Sequence, residues 1–317
     1  MSSRKLKYLL LLSLCALAIG LVACGSDDSS DDSSGSGDTT STEASGELTI
    51  GSKNFTEQIV LGEIYAQALE SVGYDVKTDL NLGSETVAVK ALKAGEISGY
   101  PEYISTALTS FYKADPEDVP GDPDAAFEKV KAEAAKDGLV AFPQTPFASA
   151  NAVGMLTSKA EELGVTKISD LKGKETDLML YGSPECRQRI DCLLGLQENY
   201  GLNPKFTPVD IGLRYEVLDK GQADLSILFT SDGQLANTDK YVLLEDDVDV
   251  FPPGNPIFIA SQKAVDASGP DFQSTIEDVQ TGLTNEVIRE LNARVDVDKE
   301  EPAAVATDYL KSAGYID

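Results

Sequence analysis

The amino-acid sequence predicts an α/β protein with two lobes and two crossings of the chain between them. Segments of strand and helix character alternate from Leu48 to Gly95, a pattern typical of a parallel sheet flanked by helices. A second series of short apolar segments starts at Asn151. Residues 251–255 then lead the chain back, and residues 257–260 are predicted to rejoin the first sheet. Two α/β lobes joined twice predict a hinge beside a cleft.

The first lobe is predicted to open with a strand that leads into a helix. Residues 48–52 form a short apolar run, and apolar residues at helical spacing follow it. Those residues are Leu61, Ile64, Tyr65, Ala68, Leu69 and Val72. A second strand (residues 76–80), a helix that ends at Gly95 and a third strand (residues 97–100) come next, with a turn expected at Pro101.

Later segments complete the first lobe and build the second. An alanine-rich helix to about Asp137 and a strand at residues 139–142 belong to the first lobe, as do helices from about Gly269 onward. An apolar run at residues 152–156 is expected to start the second lobe, and its strands are predicted at residues 178–181, 223–229 and 242–244. Helical signals occur at residues 169–171, and residues 210–218 are predicted to form a turn and then a helix. The predicted boundaries are residues 47–149 plus 254–317 for lobe 1 and residues 150–253 for lobe 2.

The N-terminal region has the pattern of a secretory signal. Three basic residues precede an apolar run that is too short to cross a bilayer comfortably. The run ends in Leu21-Val22-Ala23-Cys24, which resembles a bacterial lipoprotein cleavage box, so residues 1–23 are expected to be removed and Cys24 to be lipidated. Ordinary signal cleavage without a lipid is the alternative.

Residues 24–46 are predicted to be a lipidated cysteine followed by a disordered linker. Ser, Asp, Gly and Thr make up almost all of this segment, and they cannot bury enough apolar surface to offset chain entropy. The linker would tether the folded body to the outer face of the cell membrane. No later segment is long and apolar enough to form a pore, so any transport role would need a separate permease and ATPase.

The composition excludes several classes of function. A formal net charge of −27 argues against binding of nucleic acid or anionic lipid by charge. The chain contains no histidine, and no glycine-rich phosphate loop or metal-ligand cluster is apparent, so we predict no catalytic residue, metal or cofactor. Glu57, Glu63 and Glu102 could serve acid/base chemistry, but solvated or structural roles are preferred in so acidic a chain.

Cys186 and Cys192 are the cysteines that remain for the folded body once Cys15 leaves with the signal and Cys24 carries the lipid. In an oxidising compartment outside the cytoplasm they are predicted to form a disulfide. Two free thiols are the alternative. The short loop between the cysteines gives limited entropic stabilisation, so the expected role of the bond is to hold the shape of that loop.

Lys53 lies where a predicted strand meets a predicted helix start. The first N–H groups of a helix lack internal partners and the helix dipole is positive there, so a helix start attracts anions. Lys53 adds a full positive charge. Open α/β sheets bind ligands beyond their strand ends, so Lys53 and Tyr103 are predicted to face one cleft that suits a carboxylate.

Two strings of the sequence resemble a known family. GSKNFTEQIVLGEIYAQALE (residues 51–70) and GEISGYPEYIST (residues 95–106) are similar to the glycine betaine/carnitine/choline-binding proteins that serve ATP-driven importers. The resemblance extends over most of residues 47–317. It implies a two-lobe, periplasmic-binding-protein-like (type II) fold whose cleft closes on its ligand, and partner subunits that form a permease and an ATPase.

The resemblance also implies which residues hold a ligand carboxylate. By position in the shared motifs, Lys53, Thr106 and Arg189 match the carboxylate-binding residues of the family. A guanidinium suits this role because it can donate two parallel hydrogen bonds. The alternatives are a surface cation at Lys53 or Arg189 and a helix cap at Thr106.

The aromatic cage that the resemblance implies is incomplete. Ligands of the family carry a methylated ammonium, which cannot donate a hydrogen bond and is recognised by aromatic faces. Tyr103 and Phe229 match two cage positions, whereas Asn151 and Gly254 stand where tyrosines are expected. Neighbouring residues that could supply the missing faces are Tyr100, Tyr181 and Phe147. Otherwise the ligand is less methylated or differently shaped.

The predicted function is that of a substrate-binding lipoprotein outside the cytoplasm. It would capture glycine betaine or a related quaternary ammonium with a carboxylate and deliver it to a permease. Import of another zwitterion, such as an amino acid derivative, is the alternative within the fold because of Asn151 and Gly254. A surface lipoprotein that senses or scaffolds is the alternative from another class.

Overall fold

The computed structural model describes residues 47–114, 118–252 and 254–317, and this part of the chain contains two sheets. The strands are β1 (Glu47–Gly51), β2 (Asp75–Asp79), β3 (Gly99–Tyr103), β4 (Leu139–Ala141), β5 (Asn151–Leu156), β6 (Met179–Gly182), β7 (Lys205–Pro208), β8 (Leu225–Phe229), β9 (Tyr241–Leu243) and β10 (Pro256–Ser261). Their orders are β2-β1-β3-β10-β4 and β7-β6-β8-β5-β9. We call the first sheet with its helices lobe 1 and the second lobe 2.

Helices flank both sheets. They are α1 (Thr56–Ser71), α2 (Glu85–Ala94), α3 (Ile104–Thr106), α4 (Pro123–Lys136), α5 (Thr157–Leu163), α6 (Leu193–Glu198), α7 (Arg214–Asp219), α8 (Gln262–Ser268), α9 (Pro270–Thr281), α10 (Asn285–Asp296) and α11 (Pro302–Ser312). The three-residue helix α3 continues directly into a π-helical turn, Ala107–Phe111. The helices α1, α9, α10 and α11 of lobe 1 thus come from the two ends of the described chain.

Both sheets are mixed, whereas the alternating pattern of the sequence favoured parallel strands. The strands β1, β2 and β3 do pair in parallel, as do β6, β7 and β8. The exceptions are β10, which is antiparallel to β3 and β4, and β5, which is antiparallel to β8 and β9. Each exception is a strand that has just crossed between lobes. It enters its sheet at the cleft end, where the parallel strands finish, and so it runs against them.

The strand β3 lies further along the chain than predicted. It covers Gly99–Tyr103, so the expected turn at Pro101 is part of the strand. Pro101 is tolerated there because β1 pairs with β3 only at Gly99, and the missing proline N–H therefore leaves no β1 carbonyl unpaired. As a consequence, Glu102 and Tyr103 point from a rigid strand rather than from a loop.

The helix α1 packs its apolar face against the first sheet. Leu61, Ile64, Tyr65 and Leu69 are each fully buried in a core that also contains residues of α9, α10 and α11. Complete burial of one such side chain stabilises the fold by roughly 1.5–3 kcal/mol. This core fixes the position at which the chain leaves β1 and begins α1.

Two segments cross between the lobes side by side. Ser149 and Gly254 form an antiparallel bridge in which each N–H donates to the other carbonyl, at 3.1 and 2.9 Å. The helix α10 of lobe 1 also packs against the turn Gly233–Ala236 of lobe 2. A Cβ atom on Gly233 would lie 2.4 Å from the backbone nitrogen of Ala293, so this approach requires glycine. The lobe boundaries given above stay a prediction.

Several predictions for the N-terminus lie outside the described residues. These are the signal peptide (residues 1–23), the lipidated Cys24 and the linker up to residue 46. Within the described ranges, none of the helices has the length and apolar character that a membrane span requires.

Candidate ligand-binding site

A cavity of about 340 Å³ is lined by residues of both lobes. This volume lies within the range of small-molecule sites in proteins. Six of the seven predicted ligand-binding residues line the cavity: Lys53, Tyr103, Thr106, Asn151, Arg189 and Phe229. The cleft ends of β1, β3, β5 and β8 meet there, which is why residues distant in sequence come together.

Lys53 reaches the cavity from the segment between β1 and α1. Its side chain is 5% exposed, and its Nζ atom forms an ion pair with Glu102, which is fully buried. Glu102 also accepts hydrogen bonds from the Tyr100 hydroxyl at 2.9 Å and from the Tyr103 N–H at 2.7 Å. The charge of Lys53 is therefore matched inside lobe 1.

Arg189 is presented by a loop that a disulfide closes. Cys186 and Cys192 are bonded, with their Sγ atoms 1.98 Å apart. The Nε and Nη2 atoms of Arg189 both donate to the Asp191 carboxylate, the Nε bond being 2.8 Å long. Asp191 therefore holds one edge of the guanidinium.

The other edge of Arg189 faces lobe 1. Its Nη1 atom lies 3.4 Å from Glu85 Oε1, and its Nη2 atom lies 3.4 Å from Thr106 Oγ1. Burial opposes the charged form, but the carboxylates of Asp191 and Glu85 outweigh it and raise the pKa of Arg189 further. The guanidinium therefore stays charged. Its contacts with the described residues leave one Nη1 N–H uncommitted, and the two contacts of 3.4 Å are long enough to be exchanged for an anion in the cavity.

Three aromatic rings form a cluster at the cavity. The ring centroid of Phe55 lies 6.2 Å from that of Tyr103 in a stacked arrangement and 5.1 Å from that of Phe229. The Lys53 ammonium lies 4.5 Å from the Tyr103 centroid. Arg214 covers Phe229, with its guanidinium carbon 3.9 Å from the ring centroid. The negative faces of these rings can attract a cation.

The chain matches one family over most of its length. A family model for the substrate binding domain of an ABC-type glycine betaine transport system matches residues 46–312. The chain belongs to this family. A glycine-betaine-binding protein of Pseudomonas aeruginosa is 33% identical over 284 residues, which cover 85% of this chain and 89% of that protein. A carnitine transport binding protein of Listeria monocytogenes is 26% identical and covers 85% of this chain and 88% of its own.

Solved structures agree with this family in fold. The crystal structure of a glycine betaine/carnitine/choline ABC transporter superposes on this substrate-binding domain with a TM-score of 0.67 at 25% identity, and covers 85% of this chain and all of that one. The lactococcal binding protein in its closed form with glycine betaine gives a TM-score of 0.61 at 14% identity over 84% of this chain and 96% of that one. The two-lobe, type II periplasmic-binding-protein fold is thus confirmed.

Two predicted residues of this substrate-binding domain have protein partners. Asn151 Nδ2 donates to the Asp191 carbonyl at 2.8 Å and lies 3.4 Å from its carboxylate, so the amide holds the counterion of Arg189. Gly254 does not line the cavity. A Cβ atom there would lie 2.3 Å from Ser105 Oγ and 3.1 Å from its backbone nitrogen, so a tyrosine would require the crossing segment to move.

The suggested substitute rings lie elsewhere in the domain. Tyr100 and Phe147 are fully buried, each in one of the two apolar cores of lobe 1. Tyr181 packs in lobe 2 against a group of buried apolar residues that includes Tyr215. None of the three lines the cavity. The missing cage faces are therefore not replaced by these residues.

Phe55, Asp191 and Arg214 line the cavity but were not singled out from the sequence. Phe55 stands two residues after Lys53 at the start of α1, and this position is the signal that could have revealed it. Arg214 lies near Phe229 because of how the elements of lobe 2 pack together, and the local sequence carries no comparable signal for that contact. Glu57 and Glu102, expected to be solvated or structural, are both buried.

Proposed function

We propose that this substrate-binding domain captures glycine betaine, or a related quaternary ammonium with a carboxylate, and delivers it to an ABC permease. One observation carries the proposal. A permanently charged guanidinium with donors to spare and a cluster of three aromatic rings line one cavity of small-molecule size. The relative from Pseudomonas aeruginosa, named as a glycine-betaine-binding protein, supports the same choice of ligand.

The two ends of such a ligand need different partners. Arg189 and Thr106 would receive the carboxylate from opposite lobes, with Lys53 as a second positive charge. Tyr103, Phe229 and Phe55 would face the trimethylammonium, which can be stabilised by aromatic faces at about 0.5–2 kcal/mol each. Because the carboxylate would contact both lobes, its binding favours the closed arrangement.

The cellular setting is part of the proposal. A lipid on Cys24 and the linker of residues 24–46 would hold the domain at the outer face of the membrane. The division into residues 47–149 plus 254–317 and residues 150–253 would let the lobes close about the crossing segments. Separate permease and ATPase subunits would complete the importer.

Calorimetric titration of the purified protein tests the proposed ligand. The panel contains glycine betaine, proline betaine, carnitine, choline and unmethylated amino acids. We expect tight binding of the betaines and much weaker binding of choline, which lacks the carboxylate for Arg189. A protein that binds amino acids but no methylated ammonium compound would contradict the proposal and would assign another class of zwitterion.

A further inference from the structure

Glu57 is a buried acid directly behind the aromatic wall of the cavity. It is the second residue of α1 and is 4% exposed. The Tyr103 hydroxyl donates to its Oε1 atom at 2.5 Å, and Asn292 Nδ2 donates to its Oε2 atom at 2.8 Å. Both oxygens accept hydrogen bonds, which suits the ionised carboxylate.

Glu57 differs from the other buried acids around the site because it has no cationic partner in the part of the chain that the structure describes. The other acids and their cations are Glu102 with Lys53, Asp191 and Glu85 with Arg189, and Asp232 with Arg214. Within the described residues, no lysine or arginine side-chain nitrogen lies within 4.0 Å of a Glu57 carboxylate oxygen. Burial raises the pKa of Glu57, and the charge of Asp232 adds to the rise.

We infer that Glu57 is a specificity-determining residue, which positions the Tyr103 ring and supplies the negative charge that favours a cationic ligand group at that ring. This inference rests on the proposed function, since it concerns the ammonium end of the same ligand. A buried acid without a partner is costly to keep charged. An ammonium bound at Tyr103 would add to the charge of Lys53, whose Nζ atom lies 4.5 Å from that ring centroid, and would favour the ionised form of Glu57 that burial opposes.

The charge of Glu57 can act through Tyr103 in two ways. A phenol that donates a hydrogen bond to a carboxylate gains electron density, which strengthens the attraction of its ring for a cation. The carboxylate also attracts the cation directly, since it accepts a hydrogen bond from Tyr103, a residue that lines the cavity. These effects partly offset the attraction for a cation that is lost because Asn151 and Gly254 stand in place of two cage tyrosines.

Asn292 ties this arrangement to the second lobe. Its Nδ2 atom donates to the Ser231 carbonyl at 2.9 Å as well as to Glu57. Ser231 follows β8, the strand that ends at the cavity residue Phe229. Glu57 is therefore linked by a hydrogen bond to Tyr103 of lobe 1 and, through Asn292, to the segment of lobe 2 that follows Phe229.

The decisive comparison uses two ligands of the same shape. In tert-butylacetate a neutral carbon replaces the nitrogen of glycine betaine, so the ratio of the two dissociation constants measures the preference for positive charge. For Glu57→Gln we expect glycine betaine to bind about tenfold more weakly and tert-butylacetate to change less than about twofold, because one nearby charge is lost while the shape of the side chain is kept. The preference ratio should therefore fall about tenfold.

Matched variants keep the test informative. Glu63→Gln, on the same helix but outside the cavity, should leave the ratio unchanged. Glu57→Asp retains the charge and should keep most of the preference even if both ligands bind more weakly. If Glu57→Gln is not folded by circular dichroism, Glu57→Ala provides a second neutral variant.

The outcomes separate this inference from the proposed function. A wild-type protein that binds neither ligand would overturn the proposed function and the inference together. If the wild type prefers glycine betaine and the neutral variants keep that preference, only the role of Glu57 is overturned. An equal loss for both ligands would show that Glu57 merely supports the fold.

Discussion

Lys53 is buried and Arg189 is partly buried at the same cavity, and their charges are matched in different ways. Lys53 pairs with Glu102 in the interior of its own lobe, and both side chains are almost completely excluded from water. Arg189 pairs with Asp191 along one edge and directs its other edge toward Glu85 and Thr106 of the opposite lobe. The comparison indicates that Lys53 contributes mainly to the stability of lobe 1, whereas Arg189 retains donors for a ligand.

The largest expected effect concerns the stability contributed by Lys53. Lys53→Met would leave Glu102 buried without a cation, and the free energy of unfolding should fall by about 3–5 kcal/mol. Denaturant unfolding measures this change. Lys77→Met removes the exposed ion pair with Glu47 and should cost at most about 1 kcal/mol. If both substitutions cost the same, the pairing of Lys53 does not carry the stability assigned to it.

The next effect concerns binding by Arg189. Arg189→Ala should weaken glycine betaine by about 2 kcal/mol or more, because a desolvated, charge-assisted contact is lost. Calorimetric titration measures the affinity. Arg187→Ala is the matched control, since Arg187 lies in the same disulfide loop but stacks on Phe206, outside the cavity. Unchanged affinity of the Arg189 variant would remove this residue from the ligand site.

A third effect follows from the raised pKa of Glu57. Above the ordinary value of 4.5 and up to the raised pKa, the folded protein holds a proton that the unfolded chain has released. The free energy of unfolding should therefore fall as pH rises through this window, by up to about 1.4 kcal/mol per pH unit for one group. Burial raises the pKa of Asp296 too, which gives a slope of the same sign.

Glu57→Gln isolates the contribution of Glu57 to this slope. Unfolding curves from about pH 4.5 to about pH 8 should show a shallower fall for this variant than for the wild type or for Glu63→Gln. The slope due to Asp296 remains in all three proteins and cancels in the comparison. Parallel curves for wild type and Glu57→Gln would mean that Glu57 does not titrate in this range.

The smallest effect tests the aromatic residue that the sequence motifs did not single out. Phe55→Leu should weaken glycine betaine by about 0.5–2 kcal/mol, the worth of one aromatic face, and should weaken tert-butylacetate less. Phe127→Leu, on α4 beside Lys131 and outside the cavity, serves as the control in the same titration. Equal losses for both ligands would assign Phe55 to packing alone.

Local patterns predicted the elements well where they are regular. The helical spacing after Thr56 gave α1, and the alternation of strand and helix gave both lobes. Pro101 misled the prediction, because proline usually ends a strand and is tolerated in β3 only where β1 has stopped pairing. The antiparallel direction of β5 and β10 was also not predicted, because it depends on the end from which each strand enters its sheet.

The candidate site was predicted only in part, because only some of its residues carry a local signal in the sequence. Motifs identified Lys53, Tyr103 and Arg189, because residues at strand ends and helix starts carry local signals. Local signals do not state which acid pairs with which cation. Glu57 and Glu102 are two of 53 acidic residues, and their sequence environment does not distinguish them from solvated ones.

The sequence alone therefore determined the regular elements, the two-lobe class and the chemical types of residue offered to a ligand. These follow from periodicity, turn residues and local motifs, which act over a few neighbouring positions. The tertiary structure decided that Lys53 is matched by Glu102 and that Phe55 joins Tyr103 and Phe229. It also decided that Glu57 is buried with no ion pair to any described lysine or arginine. Such pairings are set by the packing of segments that are distant in sequence, and burial then determines the interaction energy of each charge.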